Sequence, residues 1–236
     1  QPNVFLEPSY LLNAAPCFGK NVTVGLVWAA SVHERRLVAL LPVRNVRRSG
    51  FTPTLVGFTH PFSGLSMPLL DAELAIPALN ALFENICNDP KRAKTLVIPF
   101  IAENGPFAVA VHTVLSQRRA NFATFERHSR AMFAPAGERE GYFARVLSSK
   151  KRKELRRQRN RLEDAGDLTF SLSSPGQTAA ALQDFFALEA AGWKGKQGTA
   201  IRCEPDTEIF FTRAIAGLAA NGQAAIAQLR QGSRLI

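Results

Sequence analysis

The chain has 236 residues, 46% apolar and 20% charged, which is enough to bury a core without covalent staples. Its 29 Lys/Arg against 19 Asp/Glu give a formal net charge of +10, and a pI near 10.2 points to an anionic partner: nucleic acid, acidic membrane or phosphate-bearing metabolite. Cys17, Cys87 and Cys203 are odd in number, far apart and outside any C-x-x-C, which argues against a disulfide framework or thiolate zinc site and fits a reducing compartment.

The opening "QPNVFLEPSY" carries neither a basic n-region nor an apolar h-region. The longest apolar runs, "LVALLPV" and "LVIPFIA", are strand-sized and too short to span a bilayer, so the chain reads as soluble and cytoplasmic. "NVTVGLVWAAS" and "RRLVALLPVRNV" predict two strands joined by a turn around His33–Arg35. "TPTLVGFTHPFSGLSMPLL", rich in Gly, Pro and Ser, reads as more loop than element. Leu79, Leu82, Phe83 and Ile86 recur at helical spacing, with Pro77 in the first turns. "AKTLVIPFIA" predicts a buried strand, "PFAVAVHTVLSQRRA" a helix opened by Pro106, and "NFATFERHSRAMFA" another strand.

"PAGERE", 135–140, is the expected boundary between domains at 1–138 and 139–236. Beyond it come "GYFARVL", a basic helix, the strand "DLTFSLS", and the helix "QTAAALQDFFALEAAGW". A glycine-rich "GWKGKQGTA" leads to a helix near "DTEIFFTRAIAGLAA", and "QAAIAQLR", "QGS" and "RLI" read as an unfinished hairpin. The alternation predicts an α/β fold with mixed sheets, and the remaining strands of the second domain are expected beyond residue 236.

The basic helix is "SSKKRKELRRQRNRLEDAG", residues 148–166, with eight Lys/Arg against three Asp/Glu, half of the net charge. Ser148 or Ser149 suits the N-cap and Gly166 the C′ position. Leu155 and Leu162 fall on one side, which predicts a buried edge, and Arg152, Arg156 and Arg159 form a stripe beside it. Lys150, Lys153, Arg157 and Arg161 point away and read as a solvated face. For Lys150, Arg152 and Arg156 a phosphate-binding role competes with that reading, because guanidinium forks and ammonium groups near a helix start suit phosphate. The charge is local to this helix, which weakens a nucleic-acid reading, and such a reading needs more than charge: no aromatic residues interleave with the cations, and there is no RNP signature or basic zipper.

Leu182, Phe185, Phe186, Glu189 and Trp193 share a helical face, which sets Glu189 in an apolar stripe. A carboxylate there is either an ion-pair partner or an acid/base group. Trp193 and Lys194 end the helix in a glycine-rich loop that could border a ligand. "GWKGKQG" is neither a Walker A loop nor G-x-G-x-x-G, and neither G-x-S-x-G nor H-E-x-x-H occurs. His33, His60, His112 and His128 are too scattered to predict a metal; His60, in "THPFSGLSMP", reads as structural, with cleft lining as the alternative.

The basic S-S-K-K-R-K-E-L-R-R at 148–157, running to L-E-D-A-G at 162–166, and L-E-A-A-G-W-K-G-K-Q-G-T-A at 188–200 resemble the BioF-like/CelD-type acetyltransferases. These are relatives of the Fem-type peptidoglycan aminoacyltransferases in the GNAT superfamily. "VFLEPSYL" and "RRLVALLPV" are similar to that family's opening, so the resemblance covers nearly the whole chain. It implies two GNAT-like modules, the first degenerate and the second carrying the donor site. In Fem-type relatives an S-K-x-R pattern opens the inter-module helix and helps bind a phosphate-bearing substrate; it falls here on Ser149, Lys150, Lys151 and Arg152. The GNAT pyrophosphate turn, [QR]-x-x-G-x-[GA], does not occur in residues 1–236.

The resemblance implies an acyltransferase using acetyl-CoA or another acyl-CoA, with an amine acceptor on a phosphorylated small molecule or glycan precursor. Lys150, Arg152 and Arg156 would hold phosphates, Glu189 would orient or deprotonate the amine, and Trp193 and Lys194 would line the acceptor pocket. An aminoacyl-tRNA-dependent transferase, or a non-catalytic module holding an anionic polymer on helix 148–166, are the alternatives.

Overall fold

Val and Leu are the main apolar residues of 22–48, and the described backbone there runs as two long antiparallel strands, β1 (Val22–Ala30) and β2 (Arg35–Arg48). The computed structural model describes residues 3–30, 34–48, 52–131 and 139–236; the predicted turn at His33 and most of "PAGERE" fall outside them. The chain divides into two compact units, Gln1–Phe122 with Pro205–Leu218, and Ala123–Glu204 with Ala219–Ile236. No helix among the described residues is long and apolar enough to cross a membrane.

In the first unit β2 is the organising strand. Val22–Ala30 pair along one edge, while β3 (Thr52–Gly57) and the short β4 (Leu69–Leu70) share the other. A two-residue β5 (Leu96–Val97) adds parallel to β3, so the five-stranded sheet is mixed. The α/β expectation holds. Residues 52–57, expected as loop, form β3 because Leu55 and Val56 bring β-prone side chains to the free edge of β2. "AKTLVIPFIA" yields only the half-buried β5: Pro99 lacks an N–H for a ladder and Phe100 adopts φ 51°.

The helices α2 (Ala75–Asn88) and α3 (Pro106–Gln117) cover one sheet face, burying Ala78, Leu79, Leu82, Ile86 and Val114 against Val38, Leu41, Val43 and Leu55. Each such leucine contributes about 2 kcal/mol by leaving water. Gly25 of β1 faces Leu82, where an added Cβ would come within 3.3 Å. After α3 the expected strand at 121–134 is absent among the described residues. Glu126 takes φ 54°, which breaks an extended run, and Phe122 packs instead on His112 with ring centroids 5.1 Å apart.

On the opposite sheet face an element that went unpredicted, α1 (Pro8–Phe18), starts with Pro8 at its first position. Gly19, at its end, lies so close to Val22 and Phe58 that no side chain would fit there. Around it His60 stacks on Phe18 at 4.9 Å and lies edge-on to Phe210 at 5.3 Å, with Tyr10, Phe58 and Phe62 completing the cluster. Phe210 arrives from α8 (Pro205–Ala220) and is fully buried. The Tyr10 hydroxyl donates to the Phe62 carbonyl at 2.7 Å, and burial pushes it up to about 12. The far end of this face stays bare: Val24, Leu26 and Trp28 of β1 and Leu37 of β2 are exposed, with the Arg35 guanidinium 4.8 Å above the Trp28 ring.

The second unit holds α4 (Arg139–Val146), α5 (Ser149–Asp164), β6 (Leu168–Leu172), α6 (Thr178–Ala191), α7 (Trp193–Lys196), β7 (Ala227–Gln231) and β8 (Arg234–Leu235). Its three strands pair antiparallel in the order β6-β7-β8, the last two as a hairpin turning at Gly232, φ 57°. Asp184 of α6 accepts from Gln228 and Arg230 of β7, and Gln231 donates to the Leu162 carbonyl of α5 at 2.6 Å.

His60 is buried, its Nδ1 has no partner among the described residues, and burial pulls its pKa from 6.5 to about 4. The unfolded chain therefore binds a proton that the folded chain refuses. The stability tied to this ring is complete above pH 6.5 and is lost as the pH falls toward 4, by at most about 3 kcal/mol. His60→Phe, which keeps the ring packing without the titration, is expected to flatten that part of the pH dependence of urea unfolding. An unchanged pH profile would show that the ring is not held neutral.

Candidate functional site

Two groups of predicted residues lie in the second unit, at the start of α5 and around the end of α6. At the first, the Ser148 side chain caps α5 by accepting from the Lys151 N–H at 3.2 Å. Arg152 turns back: its Nη1 donates to the carbonyls of Ala144 at 3.1 Å and Leu147 at 2.7 Å, satisfying groups that the end of α4 leaves open. Lys151 pairs with Glu154 at 3.0 Å, and Arg159 with Glu163 at 2.7 Å. Lys150 and Arg156 are exposed and make no hydrogen bond or ion pair among the described residues.

The expected buried edge of α5 is not there. No residue of the helix is buried, and Leu155 and Leu162 remain 42% and 38% exposed. Two leucines among sixteen residues do not make an apolar stripe broad enough to seat a helix. Polar ties hold it instead, through Arg152 and through Gln231.

At the second group the sequence L-E-A-A-G-W-K-G-K-Q-G-T-A folds around one carboxylate. α6 stops at Gly192, α7 turns for four residues, and the Thr199 N–H returns to the Lys194 carbonyl at 2.9 Å. Gly198 takes φ 70°, and at Gly195 any Cβ would collide with the Ala190 carbonyl, so both glycines are required by the turn. The Glu189 side chain is only 8% exposed. Its Oε1 accepts from Lys194 Nζ at 2.6 Å and its Oε2 from the Ile201 N–H at 2.8 Å. Burial pushes this carboxyl up, but the Lys194 hydrogen bond, the Ile201 N–H and the Lys194 charge outweigh it and hold the group below the ordinary range.

Glu189 thus keeps its charge with both oxygens engaged, the geometry of a latch across the loop. Phe186, one turn earlier, is fully buried beneath Arg202, whose guanidinium lies 5.8 Å from the ring and donates to Gln183 at 2.7 Å. Trp193 is 65% exposed at the rim of the loop. No hydrogen bond or ion pair among the described residues joins this loop to Lys150, Arg152 or Arg156. Sequence reasoning missed the backbone partner at Ile201 and the carbonyls under Arg152, since neither leaves a trace in residue type. The G-W-K-G-K-Q-G spacing was the one available signal of a tight return.

For an acyl-CoA donor the residues fit in part. Lys150 and Arg156 are exposed cations suited to phosphate, whereas the pyrophosphate turn [QR]-x-x-G-x-[GA] has no counterpart in residues 1–236.

Residues 149–236, from the first residue of α5 to the last strand, match the family model described as an acetyltransferase (GNAT) domain. The match covers less than half of the chain and includes the whole of the Glu189 loop. No curated protein and no solved structure matches.

Removing the latch leaves Lys194 and the Ile201 N–H without their acceptor. Glu189→Ala is expected to cost about 1–3 kcal/mol in urea unfolding. Gly195→Ala, which forces the Ala190 carbonyl aside, should cost a similar amount. Stability equal to wild type in both variants would mean that the loop is not closed by these contacts.

Proposed function

We propose that the chain carries an acyltransferase moving an acyl group from an acyl-CoA to an amine acceptor. The observation that supports it best is the family match, which begins at α5 and encloses both groups of candidate residues. In such a transfer the amine nitrogen attacks the thioester carbonyl, a C–N bond forms, the C–S bond breaks, and the thiol leaves with the proton the amine gives up.

The residue roles follow from the contacts. Lys150 and Arg156 are the cations proposed for phosphate, because no other group among the described residues engages them. Four successive cations, Lys150–Lys153, occupy the start of α5 with no acidic residue in its first turn, where the helix dipole already favours an anion. Arg152 serves this surface by fixing the α4–α5 junction. Glu189, ionised and doubly engaged, is proposed as a positioning residue that holds the loop bearing Trp193 and Lys194 at the acceptor side. An acceptor carrying phosphate, as a small molecule or glycan precursor, is the class these cations suit.

The test is titration calorimetry of acetyl-CoA into the full-length protein, with a Lys150→Ala/Arg156→Ala variant alongside. Saturable wild-type binding weakened by roughly 1–3 kcal/mol in the variant is expected. Arg152→Ala should instead lower the helicity and stability of the α4–α5 region by about 1 kcal/mol. Absence of acetyl-CoA binding by the full-length protein would remove the acyl-CoA reading and leave an aminoacyl-tRNA-dependent transfer or a binding module.

A further inference from the structure

Apart from Lys150, the outward side of α5 has no part in the proposed acyl transfer. Lys150, Lys153, Arg157 and Arg161 stand at i, i+3, i+7 and i+11, so they stay within an arc of about 80° and span about 16 Å along the axis. All four are exposed, and none makes a hydrogen bond or ion pair among the described residues. The other cations of the helix are spoken for or turned elsewhere: Lys151 by Glu154, Arg159 by Glu163, Arg152 by two carbonyls. Asp164 lies in the same arc at its far end and trims one charge.

We infer that this stripe is a docking surface for a nucleic-acid phosphate backbone, read without regard to base sequence. Axial steps of about 4.5–6 Å between unpaired cations on long side chains let each reach a separate phosphate along one strand. The arc contains no aromatic side chain to stack on bases, so the contacts stop at the backbone. A lipid surface fits less well. Leu155 and Leu162, the helix's only large apolar residues, lie well outside the arc and bring no insertion to the charged side. The stripe excludes the Glu189 loop and shares only Lys150 with the cations proposed for acyl-CoA, so Lys153, Arg157 and Arg161 carry the inference independently of acyl transfer.

The experiment is fluorescence anisotropy of a labelled 20-base-pair DNA duplex titrated with the full-length protein between 50 and 200 mM salt. Neutralising the stripe as K150Q/K153Q/R157Q/R161Q keeps good helix formers at every position, with far-UV circular dichroism as the check. The slope of log K against log salt is expected to shrink by about 3–4, equivalent to losing about a 100-fold salt effect over that range. Single R157Q should reduce the slope by about 1, so the inference remains testable if the fourfold variant misfolds. R159Q, altering the ion-paired arginine, should leave it nearly unchanged, and a second duplex of unrelated sequence should bind equally. The inference is overturned by absent duplex binding at 50 mM salt, by an unchanged slope in R157Q, or by a strong preference for one sequence. Capture by phosphatidylserine vesicles without duplex binding would overturn it in favour of a lipid surface.

Discussion

A carboxylate taken out of water must be given partners, and the second unit is arranged to give Glu189 two. The Lys194 ammonium supplies charge and the Ile201 N–H supplies direction. For both to arrive, the chain has to reverse within a dozen residues, and the glycines at 195 and 198 make that reversal sterically possible. Trp193 is left standing at the rim as a result. The loop's shape is therefore set by electrostatics more than by apolar packing. An acid held charged and doubly bonded is also a poor base.

The first unit is ordered by a different constraint. β2 is long enough to serve three strands at once, and each face of the resulting sheet is clothed differently. Aliphatic residues of α2 and α3 cover one side; aromatic rings gathered from α1, the His60 segment and α8 cover part of the other. His60 behaves within that cluster as another flat ring, with proton uptake suppressed by its surroundings.

What the sequence revealed depended on whether a residue's type announces its partner. The β1–β2 pair, α2, α3 and α6 were readable because apolar periodicity records which face is covered. β3 was not, since its Pro and Gly resemble loop chemistry and only the waiting edge of β2 makes it a strand. No element was expected at α1, a helix that carries Pro16 close to its end. The expectation of a leucine seat under α5 failed because two leucines seven apart give periodicity without enough area. At the candidate site Glu189 stood out as a charge among apolar neighbours, while the main-chain atoms that complete its environment, and those that occupy Arg152, carry no signature in residue type.

One consequence of β1 concerns how the protein behaves at high concentration. Its nine residues hold neither charge nor proline, its outer edge has no pairing strand among the described residues, and Val24, Leu26 and Trp28 lie bare beside it. Natural edge strands usually carry a lysine or proline to deter a neighbour. Here the deterrent is global: copies with a formal charge of +10 repel one another before their edges meet. Such protection is only as long as the Debye length, so added salt shortens it to a few ångströms. Colloidal stability in this molecule is thus borrowed from its charge, and a polyanion that neutralises the charge would withdraw it as surely as brine.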